Sequence, residues 1–237
     1  MSDGALRAVV PANYLTGLRT GAASGLAARY LANPSARTLG LLGAGVQGWF
    51  QVMALKEACP LAQVRVFDTD HWRAARFAGR VEAELGVAAT AVVSARDAVT
   101  GCDLVVTATS AGSPVIDASW ISPGTHVSGV GANTPAKREL DSATFARSLI
   151  VVDYLEQALD EAGDLKQALA EGVIAPADVS LDLAGLASGV FKGRSSPTQI
   201  TLFKSVGMAI EDIATAALVY RRATDRGLGQ RLKFADA

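Results

Sequence analysis

Short apolar runs alternate with segments of helical periodicity through the middle of the chain. The runs predict strands at Thr38–Leu42, Gln63–Phe67, Ala89–Val93, Leu104–Ala108, His126–Val130 and Ser148–Val152, the last of the series. Helices are predicted at 46–58, 70–84 and 94–100. Strands separated by helices predict an α/β fold with a Rossmann-like, doubly wound parallel sheet. We expect the strand order to reverse beside the first strand, which places a ligand crevice above the turn that follows it.

Both ends of the chain fall outside this alternation. A short strand is predicted at Leu6–Val10, and a helix at 12–32 with Leu15, Leu18, Ala22 and Leu26 on one face. Acidic helical pieces (Asp153–Leu169) and a loop (Gly185–Ser196) precede a long helix, Val206–Arg226. We expect the first and last helices to pack together as flanking helices left from an incomplete substrate or dimerisation domain. The chain is thus predicted to have three parts. Residues 1–32 are the remnant of the first domain, residues 33–205 form a dinucleotide-binding domain, and residues 206–237 hold the last helix, which returns to the first domain.

Composition excludes several classes of protein. Half of the 237 residues are hydrophobic, and 22 basic residues face 23 acidic ones, so nucleic acid is not an expected partner. Cys59 and Cys102 are interpreted as packed thiols, and His71 and His126 are too far apart in sequence to suggest a zinc site. The sequence contains no apolar run of about 18 residues, so it predicts no membrane span. Its first residues do not resemble a signal peptide. We therefore expect a cytoplasmic protein without a metal.

The turn after the first strand has the form G-x-G-x-x-G, made by Gly43, Gly45 and Gly48. Gly43 permits the tight turn, Gly45 lets a pyrophosphate approach the backbone, and Gly48 lets the helix pack closely on the strand. The helix that follows offers unpaired N–H groups and a partial positive charge to phosphates. Together with the surrounding strands, the turn predicts a dinucleotide site.

Asp68 ends the second strand, where a carboxylate accepts hydrogen bonds from the adenosine ribose and repels a 2′-phosphate. This position favours NAD, although Arg73 and Arg76 lie near enough in sequence to tolerate NADP. The alternative is that Asp68 caps the helix that follows, unless Thr69 or Asp70 does so instead.

Arg19 lies inside an otherwise apolar helix, where its planar fork suits a carboxylate or phosphate. The alternative is an ordinary surface arginine.

The segment 126–141 leaves a strand through glycines and should open onto the same crevice. Asn133 is a candidate to hydrogen-bond a substrate or water, and Lys137 a candidate to contact an anion or amide. The alternative is an ordinary turn at Asn133, with Lys137 and Glu139 on a solvated helix face. The acidic run Asp153, Glu156, Asp160, Glu161 and Asp164 is interpreted as a solvated face, and His126 as a structural histidine.

Several motifs resemble the ornithine cyclodeaminase/mu-crystallin family, which includes alanine dehydrogenases and ketimine reductases. They lie at Leu15–Ala23, Gly43–Gln47, Gly129–Asp141, Val151–Asp153 with Glu161–Asp164, and Phe203–Asp212. They follow the family's order along nearly the whole chain.

The resemblance implies specific roles. Arg19 would bind the substrate carboxylate, and Val206 would lie beside the substrate. Val46 and Gln47 would cover the pyrophosphate and Asp68 would bind the ribose. Further cofactor contacts are implied at Thr109, Val127, Ser128, Gly129, Val130, Lys137 and Ser205. The implied cofactor is NAD and the implied assembly a homodimer.

Two departures from the family matter. Asn133 stands where cyclodeaminases and alanine dehydrogenases have an aspartate that works as a general base, and an amide cannot take a proton at neutral pH. The resemblance further implies an N-terminal region that this sequence does not include, and which we expect to supply further substrate-binding side chains and much of the dimer interface.

The leading hypothesis is an NAD(P)-dependent oxidoreductase acting on the C–N bond of an amino acid, imino acid or ketimine, with Asn133 orienting water or substrate. The alternative is a catalytically impaired, NAD(P)H-binding protein of the mu-crystallin kind. The motifs at 129–141 and 203–212 have no role in a methyltransferase. The Tyr-x-x-x-Lys pair of short-chain dehydrogenases and the lysine of a P-loop are both missing.

Overall fold

The computed structural model describes residues 6–231, and its centre is one parallel sheet. The strands are β1 (Thr38–Leu42), β2 (Gln63–Phe67), β3 (Ala88–Ala91), β4 (Leu104–Thr107), β5 (His126–Gly129), β6 (Ser148–Val152) and β7 (Ile200–Lys204). The helices in this range are α1 (Ala12–Leu31), α2 (Val46–Ala58), α3 (His71–Arg80), α4 (Ala95–Val99), α5 (Ser142–Ala146), α6 (Leu155–Glu161), α7 (Gly163–Ala170), α8 (Leu183–Ala187) and α9 (Ala209–Asp225). A π-helical turn, Val81–Leu85, extends α3.

The strand order is β3-β2-β1-β4-β5-β7-β6, so it reverses at β1 as expected. In register, Leu39 of β1 lies opposite Val64 of β2 on one side and Leu104 of β4 on the other. The segments that follow β1 and β4 pack on opposite faces of the sheet, and a doubly wound sheet binds its ligand at the crevice between them. The predicted fold class is confirmed.

Both faces of the sheet are covered by apolar side chains, as a parallel sheet requires. One face packs against α2 and α3 through residues such as Leu41, Phe50 and Phe77. The other packs against α4 to α7 through residues such as Val105 and Phe145. Burial on both faces is the reason why the inner strands β1, β4 and β7 read as nearly continuous apolar runs, whereas β2, towards the sheet edge, alternates between buried and partly exposed residues.

The prediction missed one strand and placed another wrongly. Ile200–Lys204 forms β7, which enters the sheet between β5 and β6, so β6 is not the last strand of the series. This run ends in Lys204, whose charge is fully buried in an ion pair with Asp164 at 3.3 Å. Leu6–Val10 forms no strand, because Pro11 leads directly into α1 and no neighbouring strand pairs with the segment. The last helix begins at Ala209 rather than Val206.

Helix α1 packs on α2 through glycines rather than through its large apolar side chains. Added Cβ atoms at Gly17 and Gly21 would collide with Phe50, and one at Gly25 would press on Ala54. The glycines recur every fourth residue and so form one helix face that brings the two backbones close together. Leu18 and Leu26 lie beside this contact and stay partly exposed. Helix α1 also contacts α9, although the domain boundaries predicted from sequence remain a prediction.

Candidate functional site

The glycine turn has the geometry that its sequence predicts. Gly43 has φ +103°, a conformation that favours glycine, and its N–H donates to the carbonyl of Phe67 at 2.9 Å. A Cβ at Gly48 would collide with the carbonyl of Gly43, whereas one at Gly45 would meet open space. Gly45 therefore leaves room for a group approaching the backbone.

The N-terminus of α2 also fits an anion. Gly45 is the N-cap of α2 and has no side chain that could accept a hydrogen bond from the first N–H groups of the helix. These N–H groups therefore face the crevice without an acceptor from the N-cap residue. Val46 is 67% exposed at the first helical position. The Oε1 atom of Gln47 is buried and accepts no hydrogen bond within residues 6–231. The uncapped N–H groups and the exposed Val46 fit the pyrophosphate of a dinucleotide, whereas the Gln47 oxygen can pair only with a donor such as a hydroxyl or an amide N–H.

Asp68 connects the glycine turn with the end of β2. Its Oδ2 accepts from the N–H of Ala44 at 2.9 Å and its Oδ1 from the N–H of Asp70 at 3.0 Å. Helix α3 is capped instead by Asp70, which accepts from the N–H of Arg73. Since a carboxylate offers about four lone-pair positions, Asp68 retains acceptor capacity for ribose hydroxyls.

A cavity of about 170 Å³ opens beside this turn. Its lining brings together several residues from distant parts of the sequence, namely Arg19, Gln47, Thr109, Asn133, Lys137 and Val206. All of them had been singled out from the sequence. All six lie on the side of the sheet where the parallel strands have their carboxyl ends.

Arg19 is held by two carboxylates from the start of α9. Its Nη1 donates to Glu211 and its Nε to Asp212, each at 3.2 Å. The Nη2 group forms no hydrogen bond within the described part of the chain, so it remains available to a ligand. Burial raises the pKa of Glu211, an effect that Arg19 opposes and Asp153 reinforces.

The loop between β7 and α9 is shaped around this guanidinium. Gly207 has φ +87°, and an added Cβ would collide with the guanidinium of Arg19, which lies directly against the glycine backbone. Asp153 fixes the loop, because its Oδ2 accepts from the N–H groups of Val206 at 2.7 Å and Gly207 at 2.6 Å, and from the Ser205 hydroxyl at 3.1 Å.

Asn133 and Lys137 interact with each other at the mouth of the cavity. The Oδ1 of Asn133 accepts from the Lys137 ammonium at 2.9 Å. Because an ammonium has only donors, this bond orients the Nδ2 group of Asn133 away from the lysine as a free donor.

The remaining predicted contacts lie at or behind the cavity wall. Thr109 follows β4 and Val130 follows β5, and both line the cavity, whereas Gly129 is the last residue of β5. Val127 and Ser128 are fully buried within β5, and the hydroxyl of Ser128 lies 3.3 Å from His126. Their roles as cofactor contacts remain a prediction, as do those of Ser205 and Val206.

His126 lies at the amino end of β5, at the opposite edge of the sheet from the cavity. Its Nδ1 pairs with the Thr201 hydroxyl at 2.9 Å, and burial lowers its pKa to about 3, reinforced by Arg194. It is therefore a neutral, buried histidine. Cys102 is buried, whereas Cys59, at the end of α2, is only partly buried.

Two interpretations of acidic residues were wrong. Asp153 and Asp164 belong to the run read as a solvated face, yet both are buried, because Asp153 binds backbone N–H groups and Asp164 pairs with Lys204. The alternative that put Glu139 on a solvated helix face is also wrong, because Glu139 is fully buried and lies in no helix. Asp153 directly follows the buried strand β6, which is a local signal of burial, whereas Glu139 stands between Arg138 and Leu140 outside any strand and has no such signal.

Within the described part of the chain, no helix has both the length and the apolar character needed to cross a membrane.

Comparisons with known proteins agree with this geometry. The sequence model of the ornithine cyclodeaminase/mu-crystallin family matches residues 1–227. An alanine dehydrogenase from Archaeoglobus fulgidus is 38% identical over 227 residues, which are 96% of this chain and 69% of that protein.

Solved structures extend the likeness to three dimensions. The Delta(1)-pyrroline-2-carboxylate reductase of Thermococcus litoralis, in complex with NADH and L-proline, superposes with a TM-score of 0.90 at 42% identity, over 92% of this chain and 68% of that one. An archaeal alanine dehydrogenase dimer with bound NAD gives a TM-score of 0.87 at 38% identity, over 93% and 68% of the two chains.

Proposed function

Because the chain belongs to the ornithine cyclodeaminase/mu-crystallin family, we propose that it is an NAD(H)-dependent oxidoreductase acting on the carbon–nitrogen bond of an amino acid or imino acid. One observation carries the proposal. The cavity at the reversal of strand order joins an arginine on α1 to the polar loop after β5, directly beside the uncapped glycine turn. Such a site can place the nicotinamide end of a dinucleotide beside a small carboxylic acid.

The cofactor would extend from Asp68 across the glycine turn into the cavity. Asp68 would hold the adenosine ribose, and the N–H groups of Val46 and Gln47 would bind the pyrophosphate. Thr109, Lys137 and the end of β5 would then border the nicotinamide half. When bound, the nicotinamide donates or accepts a hydride. NADH and NAD in the two solved relatives support this assignment, and the carboxylate of Asp68 favours NAD over NADP.

The substrate would be an α-amino acid or its imine, with its carboxylate on Arg19. The relatives act on or bind such molecules, as the names alanine dehydrogenase and pyrroline-2-carboxylate reductase and the bound L-proline indicate. The free Nη2 edge of Arg19 can donate to a carboxylate oxygen, with Val206 beside the substrate. The free amide N–H groups of Asn133 can donate to an acceptor on the substrate or to a water.

Asn133 restricts the chemistry that the protein itself performs. An amide orients a partner by hydrogen bonding but does not exchange protons at neutral pH. Reduction of an imine depends mainly on positioning and on the hydride, so it is the reaction this site supports best.

A second candidate is a protein that binds NADH and an amino acid without turnover. Asn133 supports it, and so does Arg19, whose guanidinium is already paired with Glu211 and Asp212.

The proposal includes a homodimer. The related alanine dehydrogenase is a dimer, and α9 exposes large apolar residues, Ile210 and Ile213, in the monomer. In this proposal residues 1–32 and 206–237 belong together beside the cofactor domain. Light scattering of purified protein would give twice the mass of the chain.

Parallel assays of binding and turnover test the function. NADH fluorescence titration measures cofactor binding, and loss of NADH absorbance measures turnover with Delta(1)-pyrroline-2-carboxylate or with pyruvate plus ammonia. We expect both binding and turnover. Binding without turnover on either substrate would favour the second candidate, and no binding of NADH would refute both.

A further inference from the structure

Glu139 bridges the two loops at the centre of the crevice. Its Oε1 accepts from the N–H of Thr109 at 2.6 Å and from the Thr109 hydroxyl at 2.7 Å. Its Oε2 accepts from the N–H groups of Gly131 at 2.6 Å and Ala132 at 3.2 Å, and from the Thr107 hydroxyl at 2.9 Å. Oε1 thus serves the loop after β4, whereas Oε2 serves the loop after β5 and also Thr107 at the end of β4.

This arrangement is tightly packed and excludes water. Glu139 is fully buried, and a Cβ at Gly131 would collide with both the Glu139 carboxylate and the carbonyl of Thr109. Within residues 6–231 the carboxylate forms no ion pair, so backbone and hydroxyl donors alone stabilise its charge. Hydrogen bonds to an ionised acceptor in such surroundings are short and strong.

The two loops joined by Glu139 form one wall of the cavity. Thr109 and Gly131 both line it, and Asn133 follows within the same loop. Glu139 itself does not line the cavity, so it acts on a ligand only through these residues.

We propose that Glu139 is a positioning residue for the nicotinamide half of the cofactor site. It fixes the separation of the Thr109 loop from the Gly131–Asn133 loop before any ligand arrives. This inference rests on the proposed function, since it assumes that the dinucleotide extends from Asp68 into the cavity. The adenosine half would depend on Asp68 and the glycine turn and would be independent of Glu139.

Two ligands separate this role from general stabilisation. NADH would occupy the whole site, whereas ADP-ribose, which lacks only the nicotinamide ring, would leave the ring position beside these two loops empty. In Glu139→Gln an amide NH₂ group replaces one of the two carboxylate oxygens. Because this NH₂ group cannot accept hydrogen bonds from the N–H donors that it faces, one of the two loops would lose its hydrogen bonds to residue 139. We expect the Kd of NADH to rise at least about tenfold and that of ADP-ribose to change by less than about twofold.

Asp141→Asn is the matched control. Asp141 also binds backbone N–H groups, those of Ala118 and Thr144 at 2.9 Å, but it caps α5 away from the cavity. Both variants are compared at a temperature where circular dichroism shows them folded. The proposal is overturned if E139Q binds NADH as wild type does, if it weakens ADP-ribose equally, or if D141N reproduces its effect.

Hydrogen exchange of the wild-type protein provides a test that needs no variant to fold. Without ligand, the amides of Thr109, Gly131 and Ala132 should exchange at least about tenfold more slowly than that of the exposed Ser110. Equal rates would show that the loops are not fixed and would overturn the proposal. If wild-type protein bound neither NADH nor ADP-ribose, the proposed function would fail, while the exchange rates would still decide whether Glu139 fixes the loops.

Discussion

The carboxylate of Asp68 accepts a hydrogen bond from the backbone N–H of Ala44 at 2.9 Å, so the end of β2 and the glycine turn after β1 form one unit. Its charge therefore lies beside the position expected for the adenosine ribose. In Asp68→Asn the acceptor for Ala44 remains while the charge is lost. We expect the NADH Kd to rise about tenfold and the NADPH Kd to fall, because the repulsion of a 2′-phosphate disappears and Arg73 lies nearby.

Fluorescence titration with both cofactors measures this change in preference. Asp70→Asn is the control, because Asp70 is a neighbouring acid that caps α3, and asparagine caps a helix about as well. An unchanged ratio of the two Kd values in D68N would contradict the ribose role.

Gly207 permits the guanidinium of Arg19 to lie against the backbone. Gly207→Ala introduces a Cβ at φ +87° and pushes that guanidinium away. We expect a loss of about 1–2 kcal/mol of unfolding free energy and a rise of about tenfold in the KM of the imino acid, with the Kd of NADH unchanged. Denaturant unfolding and steady-state kinetics measure the two effects.

Gly229→Ala is the matched control for backbone strain. Gly229 has a similar φ of +97°, but an added Cβ there would meet no other atom within 4 Å. It should lose comparable stability without any change in KM. If G229A raised KM as much as G207A, the contact with Arg19 would not be the cause.

In the proposed site, Glu211 would compete with the substrate carboxylate for Arg19, with which it forms an ion pair. Since burial raises its pKa, Glu211 takes up a proton at a higher pH than an ordinary glutamate, and its neutral form no longer competes. The side chains of Asp212 and Asp153 also face this region, and they do so whether or not Glu211 carries a proton.

Affinity for a carboxylate should therefore rise as the pH falls. L-Proline keeps the same net charge between about pH 5 and about pH 8, so its binding in the presence of NADH reports on the protein alone. We expect the wild-type protein to bind L-proline more tightly at the lower pH, and Glu211→Gln to bind it tightly at both pH values. A pH dependence that persists unchanged in E211Q would assign it to another group.

His126 makes folding sensitive to acid. Its pKa is about 3 in the folded protein, against an ordinary value of 6.5, so the unfolded chain binds more protons between these values. The stability it contributes is complete above 6.5 and is lost progressively below it, by about 2 kcal/mol at about pH 5.

Denaturant unfolding at about pH 7 and about pH 5 measures this loss. The loss of unfolding free energy at the lower pH should be absent in His126→Asn and unchanged in His71→Asn, since His71 is exposed. An equal loss in H126N and wild type would exclude His126 as its source.

Local patterns were sufficient for the first half of the sheet. The bounds of β1, α2 and β2 agree with the prediction to the residue, because buried strands and the glycine turn follow one another within thirty residues of sequence. The cavity residues Arg19 and Asn133 were found because each is a polar residue in an apolar or glycine-rich segment.

Long-range pairing was beyond the reach of such patterns. Strand β7 lies between two strands that precede it in sequence, and its terminal Lys204 is stabilised by Asp164, forty residues earlier. Glu139, Asp153 and Glu211 look like solvated acids until loops from different strands converge on them. Their donors are mainly backbone N–H groups and an arginine, and the sequence does not reveal which of these lie nearby.

The substitution Arg19→Lys tests the central claim most directly, because lysine keeps the charge but not the planar fork. NADH binding and the KM for Delta(1)-pyrroline-2-carboxylate are measured together, with Arg29→Lys, an exposed change on the same helix, as control. The account predicts that R19K raises KM at least about tenfold and leaves the Kd of NADH within about twofold, while R29K changes neither. An unchanged KM in R19K would contradict the claim that Arg19 holds the substrate carboxylate beside the cofactor.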